Sequence, residues 1–161
     1  MTATNWAIGA LLIVIGEAVR LAGVAAAGTV TRRRSRDVQR LVTYGVFRWV
    51  RNPLYVGNFL IWMGFVVISG VLWFLPLAIA LFALEYSLIV AYEEGVLESI
   101  FGAEYLDYKR TTPRWIPRPP GSRAESGPHA WGEAWRSEIS TFMQYVALIL
   151  VFSIKDYLGK G

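Results

Sequence analysis

Apolar residues run along this chain in long blocks. From Met1 to Gly28 the only charged side chains are Glu17 and Arg20, and from Leu54 to Tyr92 the only one is Glu85. A helix needs about 20 such residues to cross a bilayer. The first block therefore predicts a span over residues 5–30. The second is long enough for two spans, 54–70 and 71–92, joined at Ser69-Gly70 as a helical hairpin. A last block, 139–154, is strongly apolar but short, with Gln144 and two serines inside it. A fourth span, a re-entrant piece and an interfacial helix all fit it, the fourth span best. Gly9, Gly16 and Gly23 recur every seven residues, so they share a face of the first helix and permit close contact with a neighbour.

Between the blocks the pattern changes. Residues 93–110 place Leu97, Ile100, Phe101, Tyr105 and Tyr108 at spacings of three and four, with Glu98, Glu104, Asp107 and Lys109 between them. That predicts an amphipathic helix at the membrane interface. Residues 111–132 hold Pro113, Pro117, Pro119, Pro120 and Pro128 and predict an extended loop. The expected fold is an all-α, polytopic membrane helical bundle of three to four transmembrane helices plus an interfacial helix. It is read as one membrane-embedded domain over 1–161: first span 1–30, basic loop 31–53, hairpin 54–92, interfacial helix and proline-rich loop 93–132, and C-terminal membrane-associated helix 133–161.

Composition supports this reading. Apolar residues make up 55% and charged residues 17%, below the roughly 25% charged of an average globular domain. Residues 31–52 carry seven arginines against Asp37 alone, which places this loop in the cytoplasm by the positive-inside rule. The net charge of +4 then reads as topology and anionic headgroups, not nucleic-acid binding. The N-terminus has no basic region and too long an apolar run for a signal peptide. There is no cysteine and one histidine, His129, read as a loop residue, so no metal site is expected. Most tryptophans fall near the expected membrane boundaries, as in an anchoring belt.

Two places hold candidate chemistry. At Arg51-Asn52-Pro53-Leu54-Tyr55, Asn52 suits an N-cap and Pro53 the first helical position, so the stretch is a helix start. A helix N-terminus beside Arg51 also suits a carboxylate or phosphate. The adjacent acids Glu93-Glu94 are either solvated at a helix end or held there at a cost for a purpose. The hairpin returns them to the membrane face where Arg51–Tyr55 begins, so Arg51 and Glu93 are expected to flank one pocket. A carboxylate there can accept hydrogen bonds from a ribose diol. Glu17 and Arg20 share a face of the first span and form either a structural pair or a functional one. Glu85 is expected to look into the bundle interior with Glu93 and to line a substrate entrance.

The stretch Leu41-Val42-Thr43-Tyr44-Gly45-Val46-Phe47-Arg48-Trp49-Val50-Arg51-Asn52-Pro53-Leu54-Tyr55-Val56-Gly57 resembles the isoprenylcysteine carboxyl methyltransferase family, which groups with the phospholipid methyltransferases. So do Glu93-Glu94, the block Phe101–Arg110, and Pro113 and Pro117. The resemblance covers about residues 39–117. It implies a multi-pass membrane enzyme using S-adenosylmethionine on a lipid or prenylated substrate, with its active site facing the cytoplasm. It also implies that Gln39, Arg40, Leu41, Val42, Phe47, Asn52, Pro53, Leu54, Tyr55 and Glu93 bind the cofactor, and that Arg51 and Glu94 are required for activity. For an amine acceptor, Glu94 is the candidate base. The family often has histidine at the Asn52 position, and its eukaryotic prenylcysteine enzymes have arginine where this chain has Ile89. An NADPH-dependent membrane reductase and a small transporter using Glu17 are the alternatives.

Overall fold

A computed structural model of the chain describes residues 2–28, 40–121 and 126–159. Among the described residues there are five α-helices. The first, α1 (Ala3–Ala27), starts at Thr2, whose hydroxyl accepts from the Asn5 amide at 3.1 Å. It ends at Gly28, whose φ of 79° stops the helix. A 3-10 turn over Gly45–Arg48 precedes α2 (Pro53–Ser69). Gly70 closes α2 in the left-handed conformation, φ 74°, and a 3-10 turn at Leu72–Phe74 leads into α3 (Leu75–Phe101). The hairpin turn thus falls at Ser69-Gly70, as expected.

Three apolar helical stretches are long enough to cross a membrane: Ala3–Ala27, Leu72–Phe101, and Trp131–Leu158, which is α5. The 17-residue α2 is a shorter apolar helix. The last apolar block therefore belongs to a 28-residue helix, because the polar turn from Trp131 to Glu138 extends it at the N-terminal end. This is a membrane protein.

The glycine face of α1 packs on α2, and α2 answers with its own glycines. A Cβ on Gly9 would lie 2.6 Å from the Gly64 carbonyl oxygen, and one on Gly16 would lie 2.6 Å from that of Gly57. Two antiparallel helices with glycine facing glycine approach backbone to backbone. On its other side α2 meets α3 through rings: Tyr55 on Tyr86, Phe59 on Phe82 and Trp62 on Phe82. α5 lies along α1, with Ala134 in a buried cluster with Leu21, Val24 and Ala25.

Two expectations shift. The single interfacial helix over 93–110 is two pieces. α3 keeps its hydrogen-bond ladder to Phe101, Gly102 breaks it with φ 51°, and α4 covers Ala103–Thr111. Tyr105 and Tyr108 are the buried residues of α4, so its apolar side faces protein. Glu85 is exposed on α3, whose buried positions are Ala78, Phe82, Val90 and Glu94. It does not look into the interior, because that face of α3 is set by the four-residue rhythm that contacts α2.

Candidate active site

The site is built where the start of α2, the end of α3 and the loop after α4 converge. Pro53 takes the first position of α2, and the Val56 amide opens the helix ladder on the Asn52 carbonyl at 3.1 Å. The Asn52 side chain does not cap α2. Its amide donates instead to the Arg114 carbonyl at 3.2 Å, because the loop after α4 lies close enough to compete for it. The first turn of α2 contains no acidic residue.

The two adjacent acids of α3 go to different partners. Glu94 is buried and bridges two guanidinium groups. Arg51 Nε and Nη2 donate to its Oε1 at 3.1 and 3.0 Å, and Arg114 Nη2 donates to its Oε2 at 2.5 Å. Arg51 Nη1 also donates to the carbonyls of Lys109 and Thr112, at 3.0 and 2.7 Å. Glu93 accepts from the Tyr55 hydroxyl, which lies 2.8 and 2.9 Å from its two oxygens. Successive helix positions point about 100° apart, so the pair splits between the loop side and the α2 side. Arg51 is thus bound to Glu94 and Tyr55 to Glu93, at the same end of the hairpin.

Around this cluster the backbone is stitched. The Arg51 amide donates to the Pro113 carbonyl at 2.9 Å, and the Arg118 amide donates to that of Trp49 at 3.0 Å. The Tyr108 hydroxyl donates to the Phe47 carbonyl at 2.7 Å. Burial raises the Tyr108 hydroxyl above its ordinary pKa, with the neighbouring Tyr105 adding to the shift; burial and then the Glu94 charge raise Tyr105. Both remain neutral well above physiological pH, so Tyr108 stays a donor.

The other sequence candidates are placed less centrally. Arg40 is exposed and donates to the Tyr44 hydroxyl at 2.7 Å, while Leu41, Val42 and Phe47 are half-buried. Pro53 and Leu54 turn their side chains toward α1, where a Cβ on Gly23 would meet Leu54 at 3.2 Å. Gln39 lies outside the described residues. His129 sits edge-on to Tyr44 and stacks on Trp131. Glu17 and Arg20 do pair, at 3.5 Å.

Sequence reasoning missed Arg114 and Glu138. Arg114 lies between Pro113 and Pro117, both quoted for the family block, and its place in a rigid proline-flanked segment was the available signal. Glu138 is an isolated acid at the border of an apolar block, which was the corresponding signal for a buried ion pair.

The class of protein follows from this assembly: an all-helical membrane protein with a buried polar cluster at one end of a helical hairpin. Residues 4–104 match the phospholipid methyltransferase family, and the chain belongs to that family. It is 34% identical over 127 residues to the protein-S-isoprenylcysteine O-methyltransferase of Mus musculus, covering 74% of this chain and 44% of that protein. It is 35% identical over 118 residues to the probable protein-S-isoprenylcysteine O-methyltransferase of Oryza sativa subsp. indica, covering 68% and 60%. The protein of that name from Homo sapiens is 33% identical over 121 residues, covering 68% and 40%. The chain spans about half the length of the curated relatives it matches. No solved structure matches it.

Proposed function

We propose that this chain is an S-adenosylmethionine-dependent methyltransferase acting on a lipid-like acceptor, an isoprenylcysteine carboxylate or a related group. The observation that carries the reading is the meeting of Tyr55–Glu93 and Arg51–Glu94–Arg114 at one end of the hairpin, within or beside the family-matching stretch. The chain works as one membrane-embedded domain, with the basic loop and this cluster toward the cytoplasm.

The residue types fit the cofactor. Glu93, half-buried and already accepting from a hydroxyl, suits a ribose diol. The start of α2, without a side-chain cap from Asn52, suits a carboxylate. The Phe47 and Tyr55 rings suit a cation. Gln39, Arg40, Leu41 and Val42 would complete the binding surface from the loop, with Asn52, Pro53 and Leu54 contributing at the helix start. When bound, S-adenosylmethionine supplies an electrophilic methyl group on a sulfonium centre.

The protein's own work is then alignment and exclusion of water. Arg51 and Glu94 serve activity by position: they tie the segment after α4 to the start of α2 and so hold the walls of the site. Both Glu94 oxygens already accept from guanidinium groups, so proton uptake there would break the clamp. A carboxylate acceptor needs no base, which agrees with that arrangement. The aromatic seam of Phe59, Trp62 and Phe82 below Tyr55 suits an apolar chain arriving from the bilayer.

Calorimetry of the detergent-solubilised protein with S-adenosylmethionine tests the reading. We expect binding, weakened about tenfold or more in Glu93→Gln, as for loss of a hydrogen bond to a charged group. Transfer of labelled methyl to farnesylcysteine is the second expected result. No binding by folded protein overturns the proposal.

A further inference from the structure

A second polar group lies deeper among the helices, and the proposed reaction does not use it. Arg20 of α1 crosses α2 at Gly57, where a Cβ would come within 2.6 Å of the Arg20 Cγ. The glycine gives the arginine stem its passage. Beyond it the guanidinium divides. Nη1 donates to Asn58 Oδ1, Nη2 donates to the two oxygens of Glu138 on α5 at 3.1 and 3.0 Å, and Nε faces Glu17 at 3.5 Å. Glu138 is fully buried.

Arginine has donors only, so it dictates which end of the Asn58 amide faces it. The oxygen turns to Arg20, and Nδ2 turns to α3, where it donates to the Tyr86 hydroxyl at 3.3 Å. The Tyr86 ring lies 4.9 Å from the Tyr55 ring, and Tyr55 donates to Glu93. Tyr55 and Asn58 are one turn apart on α2, and Tyr86 and Glu93 are two turns apart on α3. The side chains therefore form a continuous ladder from α5 to the candidate site.

We infer that Arg20 is a positioning residue for the Tyr55–Glu93 pair, acting through Asn58 and Tyr86 and braced by Glu138. This rests on the reading that Tyr55 and Glu93 bind the cofactor. Apolar side chains would hold these helices together without burying charge, and buried charge at membrane depth is costly. What the polar ladder adds is direction. Ring-to-ring packing between α2 and α3 allows small slips along the helix axis, whereas the Asn58–Tyr86 hydrogen bond has one register. The brace comes from α5, beyond the stretch 4–104 that matches the family.

Two variants test this in the full chain. Tyr86→Phe removes one hydroxyl and keeps the ring. Arg20→Lys keeps a charge but has no planar fork to span Asn58 and Glu138. Calorimetry with S-adenosylmethionine should show affinity falling about 3- to 10-fold in Tyr86→Phe, as for one lost neutral hydrogen bond, and at least as far in Arg20→Lys. In a Tyr55→Phe background the Tyr86→Phe change should add less than about twofold, because the ladder has lost its end. A role in packing alone would lower the thermal midpoint and leave the two effects additive. Unchanged affinity in both single variants, or additivity with Tyr55→Phe, overturns the inference while leaving the proposed function standing. Absence of binding by the unaltered protein overturns that function and this inference together.

Discussion

Arg51→Ala removes a guanidinium whose side chain is only 9% exposed and which makes four hydrogen bonds. Breaking a buried pair by deleting one partner costs about 3–5 kcal/mol. The lower end applies here, because Glu94 keeps Arg114 at 2.5 and 3.2 Å. The carbonyls of Lys109 and Thr112 lose a charged donor, which adds roughly 1 kcal/mol. The expected loss is about 3–4 kcal/mol. Arg114→Ala is the control: that side chain is 41% exposed, and Arg51 remains on Glu94. Its loss should cost about 1 kcal/mol. For a chain of this size each kcal/mol moves the midpoint by roughly 2–4 °C. Thermal unfolding of the solubilised protein, followed by circular dichroism, should fall by about 6–15 °C in the first variant and about 2–4 °C in the second. Equal shifts in the two, or a shift within about 2 °C for Arg51→Ala, would refute the assignment of Arg51 as the buried member of the clamp.

Other consequences can be checked more briefly. Gly16→Val inserts a branched side chain against the Gly57 carbonyl, only 2.6 Å from the new Cβ, and should separate α1 from α2. A cysteine pair introduced across these helices should cross-link readily when Gly16 is kept and slowly or not at all in the variant. Gly70→Ala forces a Cβ onto a left-handed C-cap with φ 74° and should cost about 1 kcal/mol in unfolding by heat. Tyr105 and Tyr108 have raised pKa values in the folded state, so their neutral forms carry the stability. That contribution is complete below the unfolded tyrosine value of about 10 and is lost as pH rises beyond it. Absorbance titration should then show a late-ionising group of tyrosines that includes Tyr105 and Tyr108, and Tyr108→Phe should shrink that group by one. Normal ionisation of all eight tyrosines would refute the burial argument.

Much of the fold was readable because bilayer thickness is a strong constraint on composition. The charge-poor blocks placed α1, α2 and α3, and the Ser69-Gly70 pair placed the turn. The seven-residue glycine spacing foretold a close helix contact, though not that α2 would meet it with Gly57 and Gly64. Pro53 marked a helix start from its own chemistry. Asn52 did not behave by local rule, because a tertiary acceptor, the Arg114 carbonyl, competed for its amide.

The sequence by itself determined that the chain is helical and membrane-embedded, and it located the two motifs that meet at one end of the hairpin. Those properties follow from local residue chemistry and from the need to satisfy backbone groups in lipid. Only the tertiary structure decided partners. It gave Arg51 to Glu94 and Tyr55 to Glu93, added Arg114 to the clamp, and joined Arg20 to Glu138 across 118 positions of chain. Adjacent acids are equivalent in sequence, but a helix turns them about 100° apart toward different neighbours. Which neighbour each one meets depends on how the helices pack, and no local pattern carries that.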